Sequence, residues 1–324
     1  MKKSFACLLI LALVFSFAGC SGKQSGDYTA DKVIMTYVAS PLNVPSILEK
    51  EHGDYAAAFQ KLGLGFGYSD LDSGADQTAA LASGDIHILN GVGGSSAILA
   101  AANGCDLVIL SMYSTAPKAF AMYTSDPSLT SPQSLKGKTV AGPKGTNLHE
   151  LLVAYLATAD MTVNDVHFVS MDIPSSAAAL ENGSIDVALL GGPAAYQCEQ
   201  SGKHKITDGE GLIAATIVTA ASRKFAEQNP KIIETFLNTQ KKLVEKMLDD
   251  LDNSLQTAAE ALGLDRKAVA EMYAMYDFDP ALTEEDIAAI QSTEKFLCQN
   301  SMTEQHVDIH DIVYKGFYYR ELSN

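Results

Sequence analysis

The feature that most constrains the fold is a similarity between two segments of the chain. Residues 80–88 (ALASGDIHI) resemble residues 179–187 (ALENGSIDV). In each copy an alanine-rich stretch ends at a glycine, the residue that most often ends a helix, and a short apolar run rich in β-branched residues follows it. Paired glycines come next, and then a second helical stretch. Each copy therefore predicts a helix, a strand, a glycine turn and another helix.

Two further segments predict a strand, a loop of small residues and a helix. The first has a strand at residues 33–38 and a helix from about Ser46, and the second has a strand at residues 138–141 and a helix ending near Ala159. Alternating strands and helices form parallel sheets. We therefore predict an α/β fold of two lobes, each a mixed sheet flanked by helices, with a ligand cleft between them.

The remaining patterns predict how the chain is divided. Apolar runs at residues 107–110 and 119–123 predict one crossing between lobes, and residues 212–220 predict the return. We expect lobe 1 to comprise residues 31–114 and 217–324, and lobe 2 residues 115–216. Apolar residues at helical spacing between Ile232 and Leu248 predict a packed helix, Thr283–Asp286 predicts a capping box, and residues 63–67 predict a loop.

The N-terminal sequence predicts export and a lipid anchor. Two lysines precede an apolar run too short to span a bilayer comfortably, and Ala18-Gly19-Cys20 follows it. A cysteine at this position fits the bacterial lipobox, and an ordinary signal peptide is the alternative. We expect residues 1–19 to be a signal peptide, Cys20 to carry lipid, and residues 20–30 to form a tether on the outer side of the membrane.

Charge and cysteine spacing exclude several classes of function. The formal net charge of −16 argues against a nucleic-acid partner, which requires a basic surface. Cys105, Cys198 and Cys298 are widely spaced and give neither a zinc motif nor a disulfide framework, so we expect small buried side chains. The sequences typical of serine hydrolases, phosphate-binding loops and zinc proteases do not occur. We therefore expect no catalytic residues and no cofactor.

The candidate ligand-binding residues follow the predicted strands. Helix N-termini attract anions, and glycines allow a ligand to approach the backbone. Short polar side chains add donors, Lys144 adds a cation, and Tyr196 could cover an apolar part of the ligand. The candidates are Ser40, Asn43, Gly93, Gly94, Ser95, Lys144, Thr146, Asn147, Gly192 and Tyr196. Ser40, Ser95 and Thr146 could instead be helix caps only, and Gly93-Gly94 only a turn.

These segments resemble a known family. Residues 134–149 (SLKGKTVAGPKGTNLH) and 84–108 are similar to stretches of the aliphatic sulfonate, taurine and nitrate binding proteins of ABC importers. The resemblance implies the type II periplasmic-binding-protein fold, a ligand in the cleft, and an ABC permease with its ATPase as partners. His87 stands where family members often carry Asp, and the glycines at 191–192 leave room for a bulkier ligand.

We therefore predict an extracytoplasmic solute-binding lipoprotein, monomeric, that binds a small anionic ligand carrying a sulfonate or a carboxylate. A binder of a neutral pyrimidine or thiamine precursor, an enzyme of the same fold, and a lipoprotein sensor or adhesin are the alternatives. His306 and His310 suggest a metal site, but the neighbouring Val307, Ile309 and Ile312 indicate a buried surface, so we expect no metal. We expect His149 to pack rather than to bind ligand.

Overall fold

The computed structural model describes residues 28–39, 41–71 and 73–316, which form two five-stranded mixed sheets flanked by helices. The predicted fold class is therefore confirmed. Cys20 and Ser40 lie outside the described residues.

The strands are short and fall in both halves of the chain. They are β1 Lys32–Tyr37, β2 Gly65–Asp70, β3 Ile88–Gly93, β4 Leu107–Thr115, β5 Phe120–Thr124, β6 Thr139–Gly142, β7 His167–Ser170, β8 Val187–Gly191, β9 His204–Asp208 and β10 Thr216–Ser222.

Helices follow most of the strands and dominate the C-terminal third. They are α1 Val44–His52, α2 Asp54–Gln60, α3 Gly74–Ser83, α4 Gly94–Ala102, α5 Asn147–Ala157, α6 Ile173–Glu181, α7 Gly192–Gln200, α8 Arg223–Gln228, α9 Pro230–Asp249, α10 Leu251–Leu262, α11 Arg266–Tyr273, α12 Glu284–Gln299 and α13 Ile309–Ile312. Short 3₁₀ turns occupy Pro117–Ala119, Pro132–Leu135 and Val163–Asp165.

The two sheets share one topology. Their strand orders are β2-β1-β3-β10-β4 and β7-β6-β8-β5-β9. In each sheet the first three strands are mutually parallel and the fourth is antiparallel to both of its neighbours. The chain passes to the second sheet between β4 and β5 and returns between β9 and β10. The carboxyl ends of the parallel strands are where ligands bind in such sheets.

The repeated sequence corresponds to α3-β3-α4 and α6-β8-α7. The apolar runs predict strands from Ile86 and Ile185, but each strand begins two residues later, because the preceding residues still hydrogen-bond to the helix end. Asp85 N donates to Ala80 O at 3.0 Å, and Ser184 N donates to Ala179 O at 2.9 Å. The predicted elements are confirmed with these shifted starts.

His87 and Asp186 occupy equivalent positions and perform the same structural task. The His87 Nδ1 atom accepts a hydrogen bond from Ile34 N at 3.0 Å, and the Asp186 carboxylate accepts one from Thr139 N at 2.8 Å. Each side chain thereby satisfies an amide at the start of the neighbouring strand. A neutral histidine can replace aspartate here because both offer an acceptor.

The loop prediction for residues 63–67 was wrong, since Gly65–Asp70 is strand β2 and pairs with the whole of β1. Its glycines make room for a side chain of that neighbour: a Cβ atom at Gly67 would lie 2.7 Å from Lys32 Cε. The expectation of three buried cysteines was wrong in part. Cys198 is buried, whereas Cys105 and Cys298 are half-buried.

Helix α9 covers one face of the first sheet. Tyr55, Phe59 and Phe236 are fully buried there, and the Tyr55 and Phe236 rings stack at 5.1 Å between centroids. The predicted apolar stripe is confirmed through Met247, but Leu248 is 55% exposed. The capping box at Thr283 and Asp286 is confirmed as well. Within the described ranges, none of the helices combines the length and apolar character needed to cross a membrane.

We predict that Phe236→Ala lowers the free energy of unfolding by about 3–5 kcal/mol, because it opens a cavity in a stacked aromatic cluster. Leu248→Ala on the same helix is the matched control and should change it by less than about 0.5 kcal/mol. Urea denaturation followed by circular dichroism measures both. Equal effects of the two substitutions would contradict this description of the core.

Candidate functional site

A cavity of about 370 Å³ lies between the two sheets. Its walls come from the carboxyl ends of β1, β2, β3, β6 and β7, with contributions from β5 and β10. The lining residues are Val38, Pro41, Asn43, Asp70, Leu71, Ser73, Gly74, Asp76, Gln77, Gly91, Gly93, Ser96, Phe120, Pro143, Thr146, Asn147, Leu148, Asp172, Ile173, Pro174 and Ile217. This volume is in the range of small-molecule sites.

Four of the sequence-predicted residues line this cavity, namely Asn43, Gly93, Thr146 and Asn147. They come from both sheets, so the structure brings together the loops after β1, β3 and β6. Gly94, Ser95, Lys144, Gly192 and Tyr196 lie outside the lining, for different physical reasons.

Ser95 is used in a contact between the two layers, that is, the two sheets with their helices, whereas Gly94 packs against strand β10 of its own sheet. Asn147 Oδ1 accepts a hydrogen bond from Ser95 Oγ at 2.8 Å, and Asn147 Nδ2 donates to Thr216 O at 3.0 Å. A Cβ atom at Gly94 would lie 2.2 Å from Thr216 Oγ1. The N-termini of α4 and α5 therefore meet as predicted, and the Asn147 amide oxygen accepts from both the backbone N–H and the hydroxyl of Ser95.

Gly192 meets the loop after β1 rather than the cavity. Its φ is +59°, and a Cβ atom there would lie 2.5 Å from the carbonyl carbon of Pro41. Pro41 itself lines the cavity. Gly192 therefore allows the second layer to close against the loop that walls the site.

Lys144 and Tyr196 lie farther from the cavity than predicted. Lys144 is exposed, while Tyr196 is half-buried and packs against the apolar core. The carbonyl next to Lys144, that of Gly145, accepts a hydrogen bond from Ser96 Oγ at 2.8 Å. The loop thus contributes its backbone to the contact between the layers and leaves the lysine in solvent.

Sequence reasoning missed the segments after β2 and β7. Ser73, Gly74 and Gln77 at the start of α3 line the cavity, as do Asp172 and its neighbours at the start of α6. The signal was present in Ser73-Gly74, a cap-like pair before a helix, but it was lost when residues 63–67 were interpreted as a loop. Without strand β2, the pair had no place at a strand end.

Gln77 offers a free acceptor at the cavity. The side chain is 2% exposed, and its Nε2 atom donates to Leu71 O at 3.0 Å. Its Oε1 atom has no hydrogen-bond partner among the described residues. A buried amide oxygen without a partner is costly, so a ligand that donates to it would gain affinity.

Helix N-termini supply positive potential at this site. Helices α3 and α5 begin beside the cavity, and neither N-cap side chain bonds to its helix. Their first-turn N–H groups have no intrahelical partner and can bind an anion. In α6 the N-cap side chain already binds a first-turn N–H group, because Asp172 Oδ1 accepts from Ser175 N at 2.6 Å.

The charged side chains of the described lining are all acidic: Asp70, Asp76 and Asp172. Asp70 lies 3.9 Å from Lys50, and Asp172 caps α6. The site therefore combines helix ends that favour an anion with carboxylates that favour a positive group on the same ligand.

A buried carboxyl group lies where the two layers touch. Glu150 of α5 is 3% exposed and hydrogen-bonds to Ser95 of α4. Burial raises the pKa of Glu150 to about 6, against the opposing effect of hydrogen bonds from Ser95 and Thr293. Ser95 has one hydroxyl proton for two acceptors, Asn147 Oδ1 and Glu150 Oε2, so a protonated Glu150 can donate to Ser95 Oγ when that proton points to Asn147.

His149 packs, as expected from the sequence. Its ring stacks on Phe168 with centroids 4.6 Å apart, and its Nδ1 atom accepts from Gly145 N at 3.2 Å. Burial, with a smaller contribution from Lys144, lowers the pKa of His149 to about 4. The imidazole is therefore neutral at physiological pH and supports the loop before α5.

Two further cavities that the described residues form lie between surface helices. One of about 410 Å³ is formed by α2 and α9, and one of about 520 Å³ lies beside Phe278. Neither is at the ends of parallel strands, and neither is lined by a predicted site residue. We therefore take the cavity between the sheets as the functional site.

We predict that Glu150→Gln changes how stability depends on pH. The pKa of Glu150 is raised in the folded chain, so its stabilising effect is present below about pH 4.5 and lost as pH rises through 6. Relative to Glu150→Gln, the wild type should lose on the order of 2 kcal/mol between pH 4.5 and 7.5. The difference in stability between wild type and Glu150→Gln isolates the effect of Glu150. His149, whose pKa is lowered, makes the stability of both chains rise with pH over the same range.

Urea denaturation at several pH values measures the effect, and Glu304→Gln, an exposed substitution, is the control. A constant difference between wild type and Glu150→Gln across this range would contradict the assignment.

Known proteins resemble this chain in sequence and in fold. The chain is similar to a protein named for aliphatic sulfonate binding in Bacillus subtilis (strain 168), at 26% identity over 98% of this chain and 96% of that protein. It is also similar to the taurine-binding periplasmic protein of Escherichia coli (strain K12), at 32% identity over 51% of this chain and 52% of that one.

The fold is also seen in solved structures. The alkanesulfonate-binding protein SsuA from Xanthomonas axonopodis pv. citri, bound to MOPS, superposes with a TM-score of 0.79 at 22% identity, over 88% of this chain and 98% of that one. A desulfurization enzyme superposes with a TM-score of 0.65 at 15% identity, over 90% of this chain and 99% of that one, so the fold alone does not separate binding from catalysis.

Residues 45–254 match the NMT1/THI5-like family, a span that includes both sheets except for β1. The described strands, the cavity at their carboxyl ends and this match lead to one conclusion: the chain belongs to the NMT1/THI5-like family.

Proposed function

We propose that this chain is the extracytoplasmic solute-binding protein of an ABC importer and that it captures a small aliphatic sulfonate. The observation that carries the proposal is the cavity enclosed between two sheets of identical topology, with the uncapped N-termini of α3 and α5 beside it. The relatives named above for sulfonate and taurine binding support the choice of ligand.

The division into lobes is part of the proposal. Residues 31–114 with 217–324 form lobe 1 and residues 115–216 form lobe 2, and the ligand binds between them. The separation of β1–β4 and β10 from β5–β9 supports this division. A ligand that contacts both lobes stabilises the closed arrangement, and the closed form would dock on a permease with its ATPase.

In this site the sulfonate binds to the first-turn N–H groups of α3 and α5. Phe120, Leu148 and Ile217 cover the alkyl part of the ligand, and Gln77 Oε1 accepts a hydrogen bond where that part carries a donor such as an ammonium group. The three lining carboxylates favour a ligand that also carries an ammonium group. We therefore expect an aminoalkylsulfonate to bind more tightly than the plain alkylsulfonate of the same length.

We also propose that binding leaves the ligand chemically unchanged. The described lining offers no cysteine or histidine as nucleophile or base, and His149 is buried against Phe168. The relatives named for binding point the same way, whereas the desulfurization enzyme shares only the fold. Mass spectrometry of recovered ligand tests this point, and a product formed by the purified chain would contradict it.

Calorimetric titration of the full chain carrying Cys20→Ala tests the ligand class. We expect taurine and ethanesulfonate to bind with one site per chain, and a neutral pyrimidine not to bind. Gly192→Ala should weaken sulfonate binding by about tenfold or more, since the added methyl group meets the Pro41 backbone and opposes closure.

Gly202→Ala is the matched control for that substitution. Gly202 also has a positive φ, +82°, but a Cβ atom there meets nothing within 4 Å. Binding only by neutral compounds would overturn the anionic ligand, and equal sulfonate affinity of Gly192→Ala and wild type would overturn the site.

We further propose that Cys20 carries diacylglycerol and holds the protein at the outer side of the membrane. The support is the apolar run followed by Ala18-Gly19-Cys20. Cys20→Ala should move the protein from the membrane fraction and remove the lipid mass from its N-terminal peptide, while Cys7→Ala should change neither. An unchanged peptide mass and membrane fraction in Cys20→Ala would contradict lipidation.

A further inference from the structure

A second cluster of chemically active side chains lies away from the cleft, where helix α12 meets the segment that follows it. Glu294 and Cys298 are one turn apart on α12, and His306 approaches from the later segment. One ligand atom from each of the three residues lies within 4.8 Å of the other two. From the sequence, His306 was paired with His310, and no metal was expected because the neighbouring apolar residues indicate a buried surface. Glu294 and Cys298 come beside His306 only in the folded chain.

The Glu294 carboxylate is the centre of this cluster. Its Oε1 atom is 3.0 Å from His306 Nδ1 and 3.2 Å from Cys298 Sγ. A tetrahedral zinc ion with oxygen and nitrogen at about 2.0–2.1 Å and sulfur at about 2.3 Å sets such donor separations at about 3.3–3.5 Å. The two separations from Glu294 Oε1 therefore need to change by only a few tenths of an ångström, and Cys298 Sγ and His306 Nδ1 already lie within 4.8 Å of each other.

The surroundings fix the carboxylate and leave the cluster open on one side. Glu294 is 1% exposed, and its Oε2 atom accepts from Gln291 Nε2 at 2.8 Å. Gln291 is held in turn, since its Oε1 atom accepts from Ile309 N at 3.0 Å. The His306 side chain is 78% exposed, so an ion and a water molecule can enter from solvent. Outer contacts of this kind orient metal ligands.

We propose that Glu294, Cys298 and His306 bind a zinc-like transition-metal dication, with water as the fourth ligand. One carboxylate, one thiolate and one neutral imidazole balance the two positive charges of the ion. Sulfur and nitrogen donors exclude magnesium and calcium, which prefer oxygen. In the metal-free protein the thiol hydrogen lies between Cys298 and Glu294, and binding replaces that hydrogen by the ion and releases it as a proton.

The site would link α12 to the segment that leads into α13. This segment continues to Val313, which forms an isolated parallel bridge with Ile109 of β4. An ion at Glu294 would therefore hold the C-terminal segment on lobe 1, on elements that contribute nothing to the cleft lining. The proposed metal site is thus separate from the cleft.

Titration of the full chain carrying Cys20→Ala with Zn²⁺, and with Co²⁺ as a spectroscopic probe, tests the site. We expect one equivalent of Zn²⁺ to bind, a thiolate-to-cobalt charge-transfer band, and no competition from Mg²⁺. Cys298→Ser and His306→Ala should each weaken Zn²⁺ binding by about a hundredfold, and Gln291→Ala by about tenfold.

Cys105→Ser and His310→Ala are the matched controls, since they remove a half-buried cysteine and an exposed histidine outside the cluster. Both should bind Zn²⁺ as the parent chain does. The proposal would be overturned if the chain carrying only Cys20→Ala bound no Zn²⁺. It would also be overturned if Cys298→Ser and His306→Ala bound Zn²⁺ as tightly as that chain. Thermal unfolding of each variant confirms that it is folded.

Discussion

The contact on which the rest of the structure depends is the hydrogen-bonded junction around Asn147. Its amide accepts from Ser95 at the start of α4 and donates to the backbone of Thr216 on β10. Both partners belong to elements of the first sheet, whereas Asn147 begins a helix of the second. The junction therefore brings two helix N-termini together. A Cβ atom at Gly93 or Gly94 would crowd the side chain of Asn147 or Thr216, and a Cβ atom at Gly192 would meet the backbone of Pro41. Glu150 adds a buried carboxyl group to the same contact.

Much of the fold could be predicted from the sequence because its signals are local. The repeat predicted α3-β3-α4 and α6-β8-α7, and glycines at positive φ ended the first helix of each copy near the predicted place. Strand β2 was missed because its glycines leave space for the Lys32 side chain of β1 and do not form a turn. The role of these glycines depends on which strand lies beside β2, and the sequence of the segment itself does not show that.

The candidate site was predicted less completely. Sequence shows which helices begin after strands, but not whether a helix start faces the cavity or is covered by the opposite layer. Ser95 and Gly192 are covered in this way, and Lys144 extends into solvent. Gln77 was not predicted because its importance comes from burial beside the cavity, a tertiary property. Asn43, Gly93, Thr146 and Asn147 were predicted because loops after parallel strands converge in any sheet of this kind.

The central claim is that a sulfonate binds between the two sheets at the starts of α3 and α5. A crystal structure of the chain with taurine tests it most directly. We expect sulfonate oxygens within hydrogen-bond distance of first-turn N–H groups in both helices, with the Gln77 amide oxygen accepting from the taurine ammonium group. Taurine bound instead in the cavity between α2 and α9, or beside Phe278, would contradict it.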